Sequence, residues 1–347
     1  MKEKNMVYNL TCNTDDNYVQ HCCVMLCSLF ENNKEIVFHI YVLAHNLSSC
    51  SSEILKKLVQ RYHHEITIYD VDELRLEGVV FRKNRPLTKA AYYRVLLPEI
   101  LDTSIEKILY LDCDIVVVGE VCEIYEIDLT DYPLAACEDA SPYTALHRRQ
   151  LNLSLNDRTF CSGVMMINLK FWRENDAMAE LLAYSKKPRE IVYLHDQDSL
   201  NFVFRGNWFK LPYKWNKTPQ SIVPLDNDQR LFDISDYRHQ PVIIHYASAL
   251  KPWYDVWFPE KKEYIKYLIL SEYPNPKVIH LERAKRMSCY LHVVRYCANK
   301  YLRPLLPRIF EIILLDIVNT IKLLCTAILR PTKFGDTLFR IWLSRYR

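Results

Sequence analysis

Residues 108–118, ILYLDCDIVVV, set two carboxylates, Asp112 and Asp114, in a run otherwise made of strand formers. Unpaired carboxylates are strongly disfavoured in a buried strand, so such a segment needs compensating groups at a defined place in its fold. Read as one strand, the segment would point both carboxylates to the same side, because side chains two apart share a face. They would lie near the strand's C-terminal end, where open α/β sheets bind their ligands. Two converging carboxylates there suggest a divalent cation, or a nucleophile beside an acid. A pair of solvated aspartates is the plainer alternative, and the flanking apolar residues leave little room for it.

The surrounding sequence supplies such a sheet. MVYNLTC, FHIYVLA and EITIYDV read as strands. Between them lie a helix after Asp15 and the capped amphipathic segment SSEILKKLVQRYH. TKAAYYRVLL reads as a helix, ILYLDCDIVVV as a central strand, and LAACED, GVMMINL and VIIHYA as later strands. Strands alternating with helices predict a three-layer α/β/α domain with a mainly parallel sheet. The 347 residues, half of them hydrophobic, suffice for one large core with an appendage.

Glycine usage excludes one kind of phosphate site. The five glycines, Gly78, Gly119, Gly163, Gly206 and Gly335, are not clustered. A loop that cradles phosphates with backbone amides needs clustered glycines. A bound nucleotide must therefore be held by side chains and a metal. The twelve cysteines show no CxxC pairing and the first residues carry no long apolar secretory segment, so free thiols in the cytoplasm are expected. A zinc site from His21, Cys22 and Cys23 is disfavoured, because adjacent helical residues diverge.

From residue 283 onward the character changes, with thirteen Lys or Arg against three Asp or Glu. Within 309–329, Glu311, Asp316, Asn319, Thr320, Lys322 and Thr326 gather on one side of a helical wheel. That pattern fits an in-plane helix on an anionic membrane surface better than a spanning one, with packing on the protein's own core as the alternative. The division expected is a catalytic domain over 1–280 and a basic amphipathic helical tail over 281–347. The tail would hold the protein peripherally on the cytoplasmic face of the inner membrane. No nucleic-acid-binding motif accompanies the basic residues.

Further segments gain meaning beside Asp112 and Asp114. His245, at the end of VIIH, offers an imidazole suited to a first-row ion alongside carboxylates, and Lys251 six residues later can meet a phosphate. Asp15, Asn17 and Tyr18 sit at the first strand-to-helix turn, with hydrogen-bonding groups and a ring for a base; a plain N-cap is the alternative. Arg94 can hold phosphate or bridge sugar hydroxyls and carboxylates, or serve as a surface cation. Asp196 and Gln197 begin a helix, where acidic residues are favoured in any case.

VYNLTCNTDDNY, TKAAYYRVLLPEI, ILYLDCDIVVV, FCSGVMMINLKFW, LHDQDSLN and HYASALKPW follow one another in this order. Together, over roughly residues 7–255, they resemble glycosyltransferase family 8, especially the bacterial lipopolysaccharide glucosyl- and galactosyltransferases. The resemblance implies a GT-A (Rossmann-like) fold and transfer of glucose or galactose, with retention, from a UDP-hexose to a lipopolysaccharide, capsule or other saccharide acceptor. It implies Mn²⁺, with Mg²⁺ as a substitute, held by Asp112, Asp114 and His245. It assigns Asp15, Asn17 and Tyr18 to uridine, Arg94 and Asp196 to the donor sugar, and Lys251 to phosphate. Gln197 falls near the reacting carbon and Asp139 near the acceptor. Two positions depart from the pattern. Cys161 stands where an Asn amide would contact the sugar, and Ser248 where a glycine would leave room beside the diphosphate. An amide is a poor nucleophile, so same-face attack, with the leaving phosphate taking the acceptor's proton, is favoured over double displacement. The competing readings are a glycogenin-like self-glucosylating protein, a nucleotide-sugar binding protein without turnover, and a haloacid dehalogenase-type phosphatase with Asp112 as nucleophile.

Overall fold

The computed structural model describes residues 7–80, 89–139, 148, 151–154, 157–188, 194–218, 240–247, 250–258, 260–282 and a few positions between 285 and 293. Most of the basic tail, including 309–329, and Ser248 lie outside the described residues. Among the described residues no helix is long and apolar enough to cross a membrane.

The strands are β1 (Val7–Asn13), β2 (Val37–Ala44), β3 (Glu65–Asp70), β4 (Lys107–Leu111), β5 (Ile115–Val117), β6 (Leu134–Glu138), β7 (Phe160–Asn168), β8 (Phe209–Leu211) and β9 (Ile243–His245). Seven of them form one sheet in the order β3-β2-β1-β4-β7-β6-β8. β7 runs antiparallel to both its neighbours, and the other recorded pairings in this sheet are parallel. The expected three-layer α/β arrangement holds, with one reversed strand in the sheet's middle.

On one face, α1 (Val19–Glu31) packs against α2 (Ser49–Arg61) and α8 (Lys261–Leu270). Both faces of a central parallel strand are covered, which is why β2 is apolar almost throughout, whereas β1 alternates Asn9, Thr11 and Asn13 with apolar residues. Ser48 caps α2 by accepting from the Ser51 amide at 3.2 Å, and Leu55, Leu58 and Val59 turn inward at helical spacing. On the other face Tyr92, Tyr110, Met165, Trp172, Leu181 and Phe204 share one buried core. The helices there include α5 (Leu169–Glu174), α6 (Ala177–Ser185) and α7 (Asp196–Val203). Two further single turns are α3 (Leu97–Ile100) and α4 (Cys122–Tyr125).

Two expectations need correction. The segment 108–118 is not one strand: β4 ends at Leu111, Asp112 to Asp114 form a turn, and β5 joins a separate two-stranded sheet with β9. The carboxylates fall where the backbone leaves one ladder for another, so their side chains escape full enclosure between layers. TKAAYYRVLL is not a regular α-helix either. Lys89–Leu96 winds as a tight 3₁₀ segment, placing Tyr92, Tyr93, Val95 and Leu96 in the core, before α3 begins with proline in its first turn.

The chain divides into two compact units: Met1–Lys251 with Pro259–Lys277, and Pro252–Phe258 with Val278–Arg347. Within the second, Tyr254 bridges to Ile279 and Asp255 accepts from the Leu281 amide.

His21 joins α1 to α8 through a 2.7 Å hydrogen bond between its Nδ1 and the Tyr264 hydroxyl. Burial disfavours the imidazolium and pushes the His21 pKa down to about 3, against the pull of Asp114. Between that value and the ordinary 6.5 the unfolded chain holds a proton that the native chain rejects. Stability therefore rises with pH across this window and is lost as pH falls through it. His21→Gln keeps a hydrogen-bonding group without the titration. Its urea-unfolding free energy should climb less steeply between pH 4 and 6 than the wild type's, by up to about 1.4 kcal/mol per pH unit. Parallel curves would show that His21 is not the group responsible.

Candidate active site

The turn after β4 meets the end of β9. Ile115 pairs with His245 in the two-stranded ladder, so the imidazole is delivered beside Asp114. His245 Nε2 lies 3.2 Å from Asp114 Oδ1 and 3.7 Å from Asp112 Oδ2. One atom from each of the three residues falls within 4.8 Å of the others. Two carboxylate oxygens and an imidazole nitrogen are a donor set that suits a first-row divalent ion such as Mn²⁺, and Mg²⁺ through the oxygens. The group implied by the sequence fits these residues.

Cations hold the two like charges close. Arg94 donates from Nη2 to Asp112 Oδ1 at 2.8 Å and from Nη1 to the Ser162 carbonyl at 2.6 Å. Its Nε lies 3.2 Å from Asp196 Oδ2, and its guanidinium carbon sits 4.0 Å from the centre of the Tyr110 ring. At 3% exposure Arg94 is no surface cation. It clamps the acidic turn to α7 from below. Tyr110 adds a 2.7 Å hydrogen bond to the same Asp112 oxygen, leaving Oδ2 to face His245. Removing one partner from such a buried pair costs about 3–5 kcal/mol.

Lys251 donates to Asp114 Oδ2 at 2.6 Å and to the Tyr246 carbonyl at 2.6 Å. Burial alone would raise the Asp114 pKa. Lys251 first, then His245, outweigh it and hold the carboxyl well below the usual range. Burial likewise disfavours a charged His245, yet Asp114 lifts its pKa to about 10. For Asp196 burial wins over the attraction of Arg94, and its carboxyl is raised to about 6.

Of the other expected residues, Gln197 lies near Arg94's partners: its Oε1 accepts from the Ser162 amide at 3.0 Å and hydroxyl at 3.3 Å. Asp15 Oδ1 accepts from the amides of Asn17 and Tyr18 at 2.9 and 3.1 Å, so it shapes the turn into α1. Asn17 is exposed and Tyr18 half-buried at that turn. Asp139 follows β6, its amide donating to Thr159 at 2.8 Å. Cys161 Sγ lies 3.9 Å from His245 Nδ1.

Three contributors were not assigned from sequence. Asn216 accepts from His245 Nδ1 at 2.9 Å, which turns Nε2 toward the carboxylates. Tyr110 braces Asp112, as above. Gly163, paired by its carbonyl to the Asp112 amide at 2.9 Å, is the third. A Cβ there would stand 2.1 Å from His245 Cε1 and 2.8 Å from Asp112 Oδ2. An isolated glycine within the run FCSGVMMIN was the available signal, since a strand glycine often marks a close approach.

Gly163→Ala should therefore displace the imidazole while the sheet persists. Titration with Mn²⁺ should show affinity lowered at least ~10-fold, the scale of damage expected when a ligand's support is lost. Circular dichroism should be unchanged. Unaltered Mn²⁺ affinity would contradict the placement of His245 and Asp112 around this glycine.

The sequence pattern described as Glycosyl transferase family 8 matches residues 9–256. General stress protein A of Bacillus subtilis (strain 168) is 28% identical over 281 residues, covering 79% of this chain and 96% of that protein. A lipopolysaccharide 1,2-glucosyltransferase of Escherichia coli is 28% identical over 252 residues, covering 72% of this chain and 74% of that enzyme. The fold is similar to that of galactosyltransferase LgtC solved with donor and acceptor sugar analogues. The TM-score is 0.67 at 21% identity, covering 80% of this chain and 99% of that one. An active-site mutant of LgtC gives a TM-score of 0.70 at 23% identity, covering 77% and 97%. With the GT-A-type sheet and the acidic turn in place, the chain belongs to glycosyltransferase family 8.

Proposed function

We propose that this glycosyltransferase is a metal-dependent, retaining enzyme that moves glucose or galactose from a UDP-hexose to a saccharide acceptor of the lipopolysaccharide or capsule type. The observation that carries the reading is the convergence of Asp112 Oδ2, Asp114 Oδ1 and His245 Nε2, with Lys251 beside them. The related glucosyltransferase of Escherichia coli supports the acceptor class.

Breaking a glycosyl phosphate builds negative charge on the departing diphosphate. A divalent ion held by Asp112, Asp114 and His245 supplies Lewis acidity that neutralises part of it. Lys251 stands next to that position and would meet the same charge with its ammonium. Tyr18 and Asn17, at the turn into α1, would bind uridine, with Asp15 shaping that turn. Asp196 and Gln197, at the start of α7, would face the donor sugar, with Arg94 holding Asp196 in place. Gln197 offers an amide rather than a carboxylate, and Asp196 is engaged by Arg94, so attack from the face the phosphate leaves is favoured over a covalent intermediate. Asp139 would lie toward the acceptor.

UDP release from UDP-glucose and UDP-galactose, with Mn²⁺ and with or without lipopolysaccharide acceptor, tests the reading. Tyr18→Ala should raise KM more than it lowers kcat, because stacking on the base is made in ground and transition states alike. Lys251→Ala should chiefly lower kcat, since its charge meets the phosphate as the bond breaks. Absence of metal-stimulated UDP release, or a Lys251 variant changed only in KM, would contradict these roles. Glycosylation of the chain's own tyrosines without acceptor would favour self-glucosylation instead.

We also propose, from the tail's charge excess, a peripheral position on the cytoplasmic face of an anionic membrane. Each basic residue near such a surface contributes about 1 kcal/mol, and salt screens it. Full-length protein should bind vesicles containing phosphatidylglycerol and lose much of that binding in high salt, whereas chain truncated after residue 280 should not bind. Equal behaviour of the two would contradict a membrane role for the tail.

A further inference from the structure

Behind the acidic turn lies a second cluster, made only of sulfur. Cys12 stands near the end of β1, Cys22 on the first turns of α1, and Cys113 between Asp112 and Asp114. Their sulfurs all lie within 4.8 Å of one another, and those of Cys12 and Cys22 are 3.6 Å apart. Cys12 and Cys22 are fully buried and Cys113 is 5% exposed. The Cys113 thiol also donates to the Asn13 carbonyl at 3.0 Å. His21, next to Cys22, hydrogen-bonds to Tyr264 and offers no sulfur to this cluster.

Buried cysteines commonly serve as small apolar residues. What sets these three apart is convergence from three separate elements onto one point. Sulfurs sharing a tetrahedral ion at about 2.3 Å stand roughly 3.8 Å from each other, whereas a disulfide requires about 2.05 Å. The Cys12 and Cys22 thiols now share a hydrogen bond at 3.6 Å, so this pair already stands near the spacing an ion would need, and Cys113 lies within 4.8 Å of both. An all-sulfur donor set selects soft ions and rejects Mg²⁺ and Mn²⁺.

We propose that Cys12, Cys22 and Cys113 form a thiolate site for a thiophilic d¹⁰ cation of the zinc–cadmium class, separate from the harder set at Asp112, Asp114 and His245. On binding, three S–H protons leave to solvent and three metal–sulfur bonds form, with no oxidant involved. An ion there would tie β1, α1 and the acidic turn together. β1 and α1 flank the turn that holds Asn17 and Tyr18, and the acidic turn holds Asp112 and Asp114, so occupancy would stiffen the framework of the candidate active site without entering its chemistry.

Because the cluster is enclosed, loading is best done during synthesis. Full-length protein produced in cadmium-supplemented medium, then desalted in excess Mg²⁺ to occupy the harder site, should retain one Cd²⁺ per chain. It should show thiolate-to-cadmium charge-transfer absorption, and X-ray absorption should resolve a shell dominated by three sulfurs. Asp114→Asn should keep the ion, and Cys22→Ser and Cys12→Ala should each lose it while the mutated chains still melt cooperatively. The X-ray absorption spectrum of the unmutated chain decides the matter if a variant does not fold. No retained Cd²⁺, a nitrogen and oxygen shell, or an ion kept by both cysteine variants would overturn the proposal.

Discussion

Two carboxylates held a few ångströms apart and away from bulk water are the constraint on which the rest of this site depends. Left alone, the two like charges would repel each other. Here each has its own cation: Arg94 engages Asp112 from beneath the sheet, and Lys251 engages Asp114 from the segment after β9. The cations differ in what they can do afterward. Arg94 is enclosed and also faces Asp196 and the Ser162 carbonyl, so it is a fixed part of the framework. Lys251, partly open, holds Asp114 where a divalent ion would compete for that carboxylate. That competition would free an ammonium next to the phosphates of a nucleotide sugar.

The same arrangement explains the backbone around it. Asp112 and Asp114 sit in a turn because the chain passes there from the seven-stranded sheet to the small β5–β9 ladder. The small ladder brings His245 to the acidic turn. β7, reversed between β4 and β6, brings Gly163 beside Asp112, and the missing side chain leaves room for the imidazole. Asn216 then fixes the ring's orientation from the far side. Fold and site are thus one problem: the carboxylates need a break in the sheet, and the break needs partners on both sides.

Much of this was legible in the sequence, for physical reasons. Strand and helix periodicities marked the α/β layers, and two acids within an apolar run marked the place where charge must be compensated. The spacing could not show that Asp112 and Asp114 occupy a turn rather than a strand, because strand formers flank the aspartates on both sides and two polar residues are too short an interruption to locate a break. Nor could it show that Lys89–Leu96 winds tightly, since that geometry follows from seating Tyr92 and Tyr93 in the core. Asn216 and Tyr110 carry no motif. Their roles exist only through contacts between segments distant in the chain, or through the orientation of one ring.

The most direct test is anomalous diffraction at the manganese edge from crystals of the full chain grown with Mn²⁺ and UDP. The account predicts one strong peak within coordination distance of Asp112, Asp114 and His245, with Lys251 withdrawn from Asp114 toward the diphosphate. A peak elsewhere, or UDP bound with Lys251 still on Asp114 and no ion between the carboxylates, would contradict it.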